Sequence, residues 1–259
     1  MNNNEILQEK FESGNFTNTD VQELLEKVDA GELRVAEKQN SVWKVNEWVK
    51  KGLLANFPLC EMYETETAGM KFRDKWPLKE NFENVRIVPG GNSVRKGAYL
   101  APGVVMMPPA YVNLGAYVDE GTMIDSHALV GSCAQIGKNV HLSAAVQIGG
   151  VLEPVNASPV IVEDNCFLSA GVIVVEGVIV ETGAVLGAGV IISASTKIIE
   201  TNENGKIVAE YKGRVPANAI VIPGARQRGE VMVQTPIIIG YKTDKHNEKL
   251  SLNEMLRNF

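Results

Sequence analysis

Apolar positions recur at every sixth residue through the middle of this chain: Val88, Val94, Leu100, Met106, Val112, Val118, Ile124, Val130, Ile136, Leu142 and Ile148. From Val112 onward the residue two places earlier is small or short (Ala110, Ala116, Thr122, Ala128, Ala134, Val140, Val146). The residue just after is mostly Gly, Asx or Ser (Asn113, Asp119, Asp125, Gly131, Gly137, Ser143, Gly149). A helix keeps one face at a period of about 3.6 residues and a strand at a period of two, so neither carries this pattern. Very short strands with a turn every six residues do, and the spacing predicts a mainly β fold, a parallel β-helix of hexapeptide repeats. The large aliphatics point into a prismatic core, small residues fill its corners, and Gly or Asx makes the tight turns.

A second register, Val162, Leu168, Val174, Val180, Leu186 and Ile192, follows a break at residues 149–159. The fourteen residues from Ile148 to Val162 read as two hexads plus two residues, so a loop is expected to project there. Thr201–Tyr211 reads as a second projection, a hairpin, and Val215–Gly224 as the last coil. Pro236–Tyr241 adds a strand and Ser251–Asn258 a short helix capped by Ser251.

The N-terminal third is patterned differently. Thr19-Asp20-Val21-Gln22 has the form of a capping box, with Leu24, Leu25 and Val28 on one face of the helix it starts and Gly31 as its stop. Leu33–Ala36 and Val42–Val45 read as strands about a Lys38-Gln39-Asn40 turn. Asn46 reads as the cap of a helix carrying Trp48, Val49, Leu53 and Leu54 to Phe57-Pro58, and Phe72–Pro89 as a connector. The expected organisation is an α+β cap over 1–85, a β-helix over 86–224 with loops near 150–159 and 201–211, and a C-terminal extension over 225–259.

Composition agrees with a narrow solenoid: 45% of the 259 residues are hydrophobic but only 6% aromatic. The net charge of −6 argues against a general nucleic-acid or anionic-membrane binder. Three cysteines without close spacing (Cys60, Cys133, Cys166), no apolar run of spanning length and a polar start lead to the expectation of a cytoplasmic protein with reduced thiols. Ile161, Phe167, Ile173, Ile179 and Ile191 precede core positions and so point outward. Such a row needs a cover, either the chain's own tail or cap or a closed cyclic homo-oligomer, for which a three-faced prism suits three-fold symmetry.

Several side chains are candidates for chemistry. His127 and His141 lie one or two residues from core positions and are each a candidate base or a histidine without chemistry. With three histidines in all, and His246 remote, no metal site is expected. Asp119 and Asp125 hold the same turn position, which reads as carboxylates stacked on one corner between Asn113 and Gly131; Asx is also an ordinary turn residue there. Lys197, Arg214, Arg226 and Arg228 gather in the last third, as phosphate ligands or as scattered surface charge.

Three stretches go beyond generic repeats: residues 111–125 (Tyr111-Val112-Asn113-Leu114-Gly115-Ala116-Tyr117-Val118-Asp119-Glu120-Gly121-Thr122-Met123-Ile124-Asp125), 130–143 and 148–154. They resemble the signature of the tetrahydrodipicolinate N-succinyltransferase family. The likeness extends to Leu33–Lys38 and Ser195–Ile198, and so to most of the chain. The resemblance implies a left-handed β-helix and a homotrimer with active sites between subunits. It also implies succinyl transfer from succinyl-CoA to the amino group of ring-opened tetrahydrodipicolinate, in lysine and diaminopimelate synthesis. It puts the substrate-binding arginine on Arg86 and the substrate-contacting, catalytic aspartate on Asp125. Contacts to the CoA co-substrate are implied at Ser169, Ala188 and Lys197. A guanidinium forks onto a carboxylate, and a carboxylate holds or deprotonates an attacking amine, which fits both roles.

The sequence also departs from the family pattern. Ile173 stands where many members have a glutamate with an assigned catalytic role, Ser126-His127 replaces a common Thr-Trp, and Ala144-Ala145-Val146-Gln147 replaces a Gly-rich stretch. An N-acetyltransferase or a silent trimeric scaffold are the alternatives these changes leave open.

Overall fold

The computed structural model describes residues 2–67 and 69–243, so the helix expected at Ser251–Asn258 lies outside the described residues. Helix α1 (Asn3–Ser13) opens on a capping box between Asn2 and Glu5 and ends at Gly14 in the left-handed region. With only two buried apolar residues, Leu7 and Phe11 at i and i+4, it was hidden in a polar stretch. Helix α2 (Asn18–Asp29) starts two residues earlier than the Thr19 box implies: Thr17 is the cap, and Asp20 accepts from its backbone N–H at 2.8 Å. An aspartate reaches back from the third helical position as well as a glutamate does. Leu24, Leu25 and Val28 are buried as expected.

The first hairpin pairs β1 (Ala36–Gln39) with β2 (Val42–Val45). Its turn is Asn40-Ser41, with φ of 49° and 66°, so the first strand lies three residues later than Leu33–Ala36. Two consecutive left-handed residues match the twist of a two-residue hairpin, and Asn is well suited to the first position. Helix α3 (Glu47–Asn56) follows. Asn46 holds the N-cap position as expected but makes no side-chain capping bond; its Nδ2 donates to the carbonyl of Arg34 at 2.8 Å, closing the hairpin onto the helix. The expected connector contains a further hairpin, β3 (Tyr63–Thr67) with β4 (Met70–Asp74). Met70 and Phe72 are exposed, so the alternation that marks a half-buried strand is missing. Phe11, Leu24, Leu25, Trp48, Leu53 and Trp76 form the cap's core, together with Leu114 and Cys133 from the solenoid.

From Arg86 the chain winds into three parallel sheets of two-residue strands. One face carries strands 99–100, 117–118, 135–136, 161–162, 179–180 and 214–215, and is called the capped face because the N-terminal hairpin and helices lie on it. The arginine face begins with Arg86–Ile87 and continues through 105–106, 123–124, 141–142, 167–168, 185–186 and 219–222. The open face carries 93–94, 111–112, 129–130, 147–148, 173–174 and 191–192. The inward column is fully aliphatic and buried, with Met106, Ile124, Leu142, Leu168 and Leu186 all at 0% exposure on the arginine face. Two details correct the hexad count. Ile87, not Val88, is the first inward residue of that face, because it pairs with Met106. Residues 147–148 and 161–162 lie on consecutive faces, so the fourteen-residue interval replaces a single hexad and the projecting loop is eight residues larger than one turn.

After Ile191–Ile192 the chain leaves the prism as an antiparallel hairpin (Ile198–Thr201 with Ile207–Tyr211). It returns for the last coil at Arg214–Val215 and Ala219–Ile222. A hairpin absent from the sequence reading, Ala225–Arg228 with Val231–Gln234, precedes the strand Ile237–Tyr241, which lies between the last coil and the exit hairpin.

Candidate active site on the Asp125 corner

A six-residue period places successive repeats on different faces; residues stack only at the coil length of eighteen. Asp119 follows a capped-face strand and Asp125 an arginine-face strand, so they occupy different corners and the expected carboxylate stack of those two does not form. Asp119 lies on an acidic corner with Glu120, Glu163, Asp164 and Glu181, where Lys138 bridges to Glu120 at 2.8 Å.

Asp125 lies on the corner between the arginine and open faces. Its backbone N–H donates to Leu142 O, that of Ser143 to Leu168 O, that of Ser169 to Leu186 O and that of Gly187 to Val221 O, each at 2.7–2.9 Å. These bonds stack Asp125, Ser143, Ser169 and Gly187 in one column, with Ser126, Ala144, Ala170 and Ala188 beside it, and His127, Ala145, Gly171 and Gly189 beyond. Asp125, Ser169 and Ala188 are therefore brought together on one corner. Asp125 is half-buried, and its Oδ1 accepts from Ser126 N–H at 2.7 Å. Above that coil the corner is stripped to Ser, Ala and Gly, a shallow track rising over the later coils.

At the top of the track the chain passes through Ile222, Pro223 and Gly224 to Ala225–Arg228. Lys197 comes in from the open-face side and bridges Glu210 at 2.6 Å. The Lys197 hydrogen bond holds the Glu210 carboxyl below its usual range, and the charges of Arg226 and Lys212 act in the same direction. One cation thus pairs with this carboxylate, and the charges of two more act on it. Arg226 is half-buried, and its Nε has no hydrogen-bond partner among the described residues. Of the four cations singled out by sequence, Lys197 and Arg226 converge here; Arg214 instead bridges Glu181 at 3.1 Å on the capped side. From Asp125 to Ile222 is four coils, roughly 19 Å at a strand spacing of about 4.8 Å.

Arg86 is exposed on the first arginine-face strand, two coils below Met123, and has no ion-pair partner among the described residues. It shares a face with Asp125 without touching it, roughly 10 Å away along the axis by the same spacing. His141, one coil above Met123, stacks on Phe167 with centroids 4.9 Å apart and rings 11° from parallel. His127 is exposed on the Asp125 turn itself. Gln147 is a residue the sequence reading noted only as a departure: its Nε2 donates to His127 O at 3.1 Å and ties that turn to the open face. Burial pushes the Cys133 and Cys166 thiols up to about 12, which leaves no thiolate for chemistry. Among the described residues no group of three or more His, Cys, Asp or Glu could hold a metal ion, and no helix is long and apolar enough to cross a membrane.

Comparison with known proteins adds the family. Residues 2–59 match the tetrahydrodipicolinate N-succinyltransferase N-terminal family, and residues 159–194 match the hexapeptide repeat of succinyl-transferase. The chain is 49% identical over 247 residues to a 2,3,4,5-tetrahydropyridine-2,6-dicarboxylate N-succinyltransferase of Azoarcus sp., covering 92% of this chain and 88% of that protein. It is 46% identical over 271 residues to the protein of that name from Acinetobacter baylyi, covering 97% of each. Among solved structures, a Campylobacter jejuni protein described as a 2,3,4,5-tetrahydropyridine-2-carboxylate N-succinyltransferase is similar at a TM-score of 0.50 and 18% identity; the match covers 86% of this chain and 63% of that one. That likeness concerns the fold, and the expected left-handed β-helix agrees with it. With relatives near half identity over nine-tenths of its length, the chain belongs to the 2,3,4,5-tetrahydropyridine-2,6-dicarboxylate N-succinyltransferase family.

Proposed function

We propose that this protein transfers the succinyl group of succinyl-CoA to the amino group of ring-opened tetrahydrodipicolinate. The observation that carries the reading is the corner track: Asp125 at its foot, small residues along it, and Lys197 with Arg226 at its head. An acyl–pantetheine arm lies along such a track with its thioester at Asp125 and its phosphates at the cations, where a guanidinium and an ammonium offer charge-assisted bonds. Ser169 and Ala188 then flank the arm, and Asp125 holds the amine in line with the thioester carbonyl. The exposed Arg86, without an ion-pair partner among the described residues, takes a carboxylate of the dicarboxylate acceptor.

The working form in this proposal is a homotrimer in the cytoplasm. The cap covers the capped face: Arg34 lies over the Tyr117 ring at 3.7 Å and donates to Gln135 at 3.0 Å. Ile161 is accordingly buried, whereas Ile191 on the open face is 39% exposed. The open face (Tyr111, Leu129, Ile173, Ile191) and the arginine face (Val105, Met123, Phe167) both point apolar columns outward. Packing one copy's open face on the next copy's arginine face buries both columns, walls the Asp125 corner into a cleft, and closes after three copies.

The test is release of free CoA thiol with tetrahydrodipicolinate as acceptor. Succinyl-CoA-dependent release supports the reading. Preference for acetyl-CoA moves the donor assignment, and CoA binding without release from either donor overturns the assignment as a transferase.

A further inference from the structure

We infer that His127 is the catalytic base of this site, with Asp125 orienting the amine whose proton His127 takes. The inference rests on the proposed transfer reaction. Across the turns 107–109, 125–127, 143–145, 169–171 and 187–189 the corner is built from Met, Pro, Ser, Ala and Gly, with two exceptions, Asp125 and His127. Both ionisable groups lie on one turn, at the foot of the track where the thioester arrives. The Ala145 and Gly171 that stack above His127 leave its ring uncovered, and the residue is exposed.

The turn that presents the ring is fixed from both sides. His127 N–H donates to Pro109 O on the coil below at 2.5 Å, and its carbonyl accepts from Gln147 Nε2 on the coil above at 3.1 Å. Gln147 also donates to the carbonyls of Ala145 and Val146, so the side chain is a strap across the corner. The three departures from the family pattern are thus one spatial unit. His127 is strapped by Gln147, and Gln147 pairs in register with Ile173. Where the open face carries an aliphatic residue in place of a carboxylate, the neighbouring turn carries an imidazole, a side chain able to take and return a proton.

The step balances without a further reactant. The amine lone pair forms the N–C bond at the thioester carbonyl while a proton on that nitrogen passes to the neutral imidazole. Collapse of the tetrahedral adduct breaks the C–S bond, and the imidazolium returns the proton to the departing thiolate. The turns packed against His127, Met107–Pro109 below and Ser143–Ala145 above, carry no ionisable side chain. Asp125 on its own turn, His141 on the strand leading into the turn above and Tyr111 on the strand leaving the turn below are the titratable groups of these coils beside the corner.

The experiment compares the full-length protein with His127→Asn and His127→Gly, both of which tolerate the left-handed backbone at φ 63°. With succinyl-CoA and tetrahydrodipicolinate, kcat is expected to fall roughly 10²–10⁴-fold in His127→Asn, with KM for acyl-CoA within about twofold. The acid limb of the wild-type kcat–pH profile disappears, and added imidazole restores part of the rate of His127→Gly. A His127→Asn enzyme within about threefold of wild-type kcat and with the wild-type pH profile overturns the inference while leaving the transfer reaction intact. A wild-type protein that releases no thiol overturns both.

Discussion

Trp43 on the cap hairpin and Glu163 on the acidic corner, 120 positions apart, meet through a 2.8 Å hydrogen bond from the indole Nε1. Lys38 adds a 2.6 Å contact to the same oxygen, and Thr182 donates to the other from both its backbone N–H and its hydroxyl. This carboxylate pins the cap to the solenoid. Burial pushes its pKa up, but the hydrogen bonds from Lys38, Trp43 and Thr182 outweigh burial and hold it below the ordinary 4.5. A depressed folded-state pKa contributes stability that is fully present above the unfolded value and lost as pH falls through the folded one. Acid titration below about pH 4.5 is therefore expected to speed amide exchange in residues 36–45 before the coils respond. Glu163→Gln removes that pH dependence and costs about 1–3 kcal/mol in urea denaturation.

Asp125→Asn preserves shape and removes the charge. The expected result is a fall of about 100-fold in kcat/KM for the acceptor, with KM for acyl-CoA nearly unchanged, measured by thiol release. Wild-type turnover would remove Asp125 from the mechanism.

Arg226→Ala and Lys197→Ala act at the other end of the track. Each is expected to raise KM for succinyl-CoA about tenfold while leaving kcat within about twofold, because the phosphates are bound equally in ground and transition states. A fall in kcat instead would place these cations at the reacting atoms.

Ile173→Lys puts a charge in the middle of the outward open-face column. Sedimentation of the variant at micromolar concentration is expected to give a monomer with the wild-type far-UV circular dichroism. A trimer of full activity would exclude the open face from the interface.

The inward column was legible from Val94 to Ile192 because a hydrophobic position in a solenoid depends only on which way the residue faces. Corner neighbours were not legible from the same period, because Asp119 and Asp125 look equivalent at six residues and separate only at eighteen. The end of the first coil was misplaced by one residue, since nothing in Arg86-Ile87-Val88 distinguishes two adjacent aliphatics until Ile87 pairs with Met106. Helix α1 and the hairpin of Tyr63–Thr67 with Met70–Asp74 went unread because so little of their surface is buried. Asp125, Ser169 and Ala188 came from family motifs. Their common corner follows from the coil-to-coil hydrogen bonds.

The eighteen-residue coil gives this gene a reading frame of its own. Removing one hexad anywhere between Val94 and Ile148 would leave every inward aliphatic inward and every turn residue in a turn, so the product would fold with an intact core. All corners downstream of the cut would nevertheless advance by one face: a cut after Asp125 would carry Ser169 and Ala188 away from its column, and a cut before it would move the whole track, with the loop at 149–159, onto another edge relative to Arg86. Length changes that keep the catalytic track must come in whole coils, or as loops that leave and re-enter at a single corner, as residues 149–159 do.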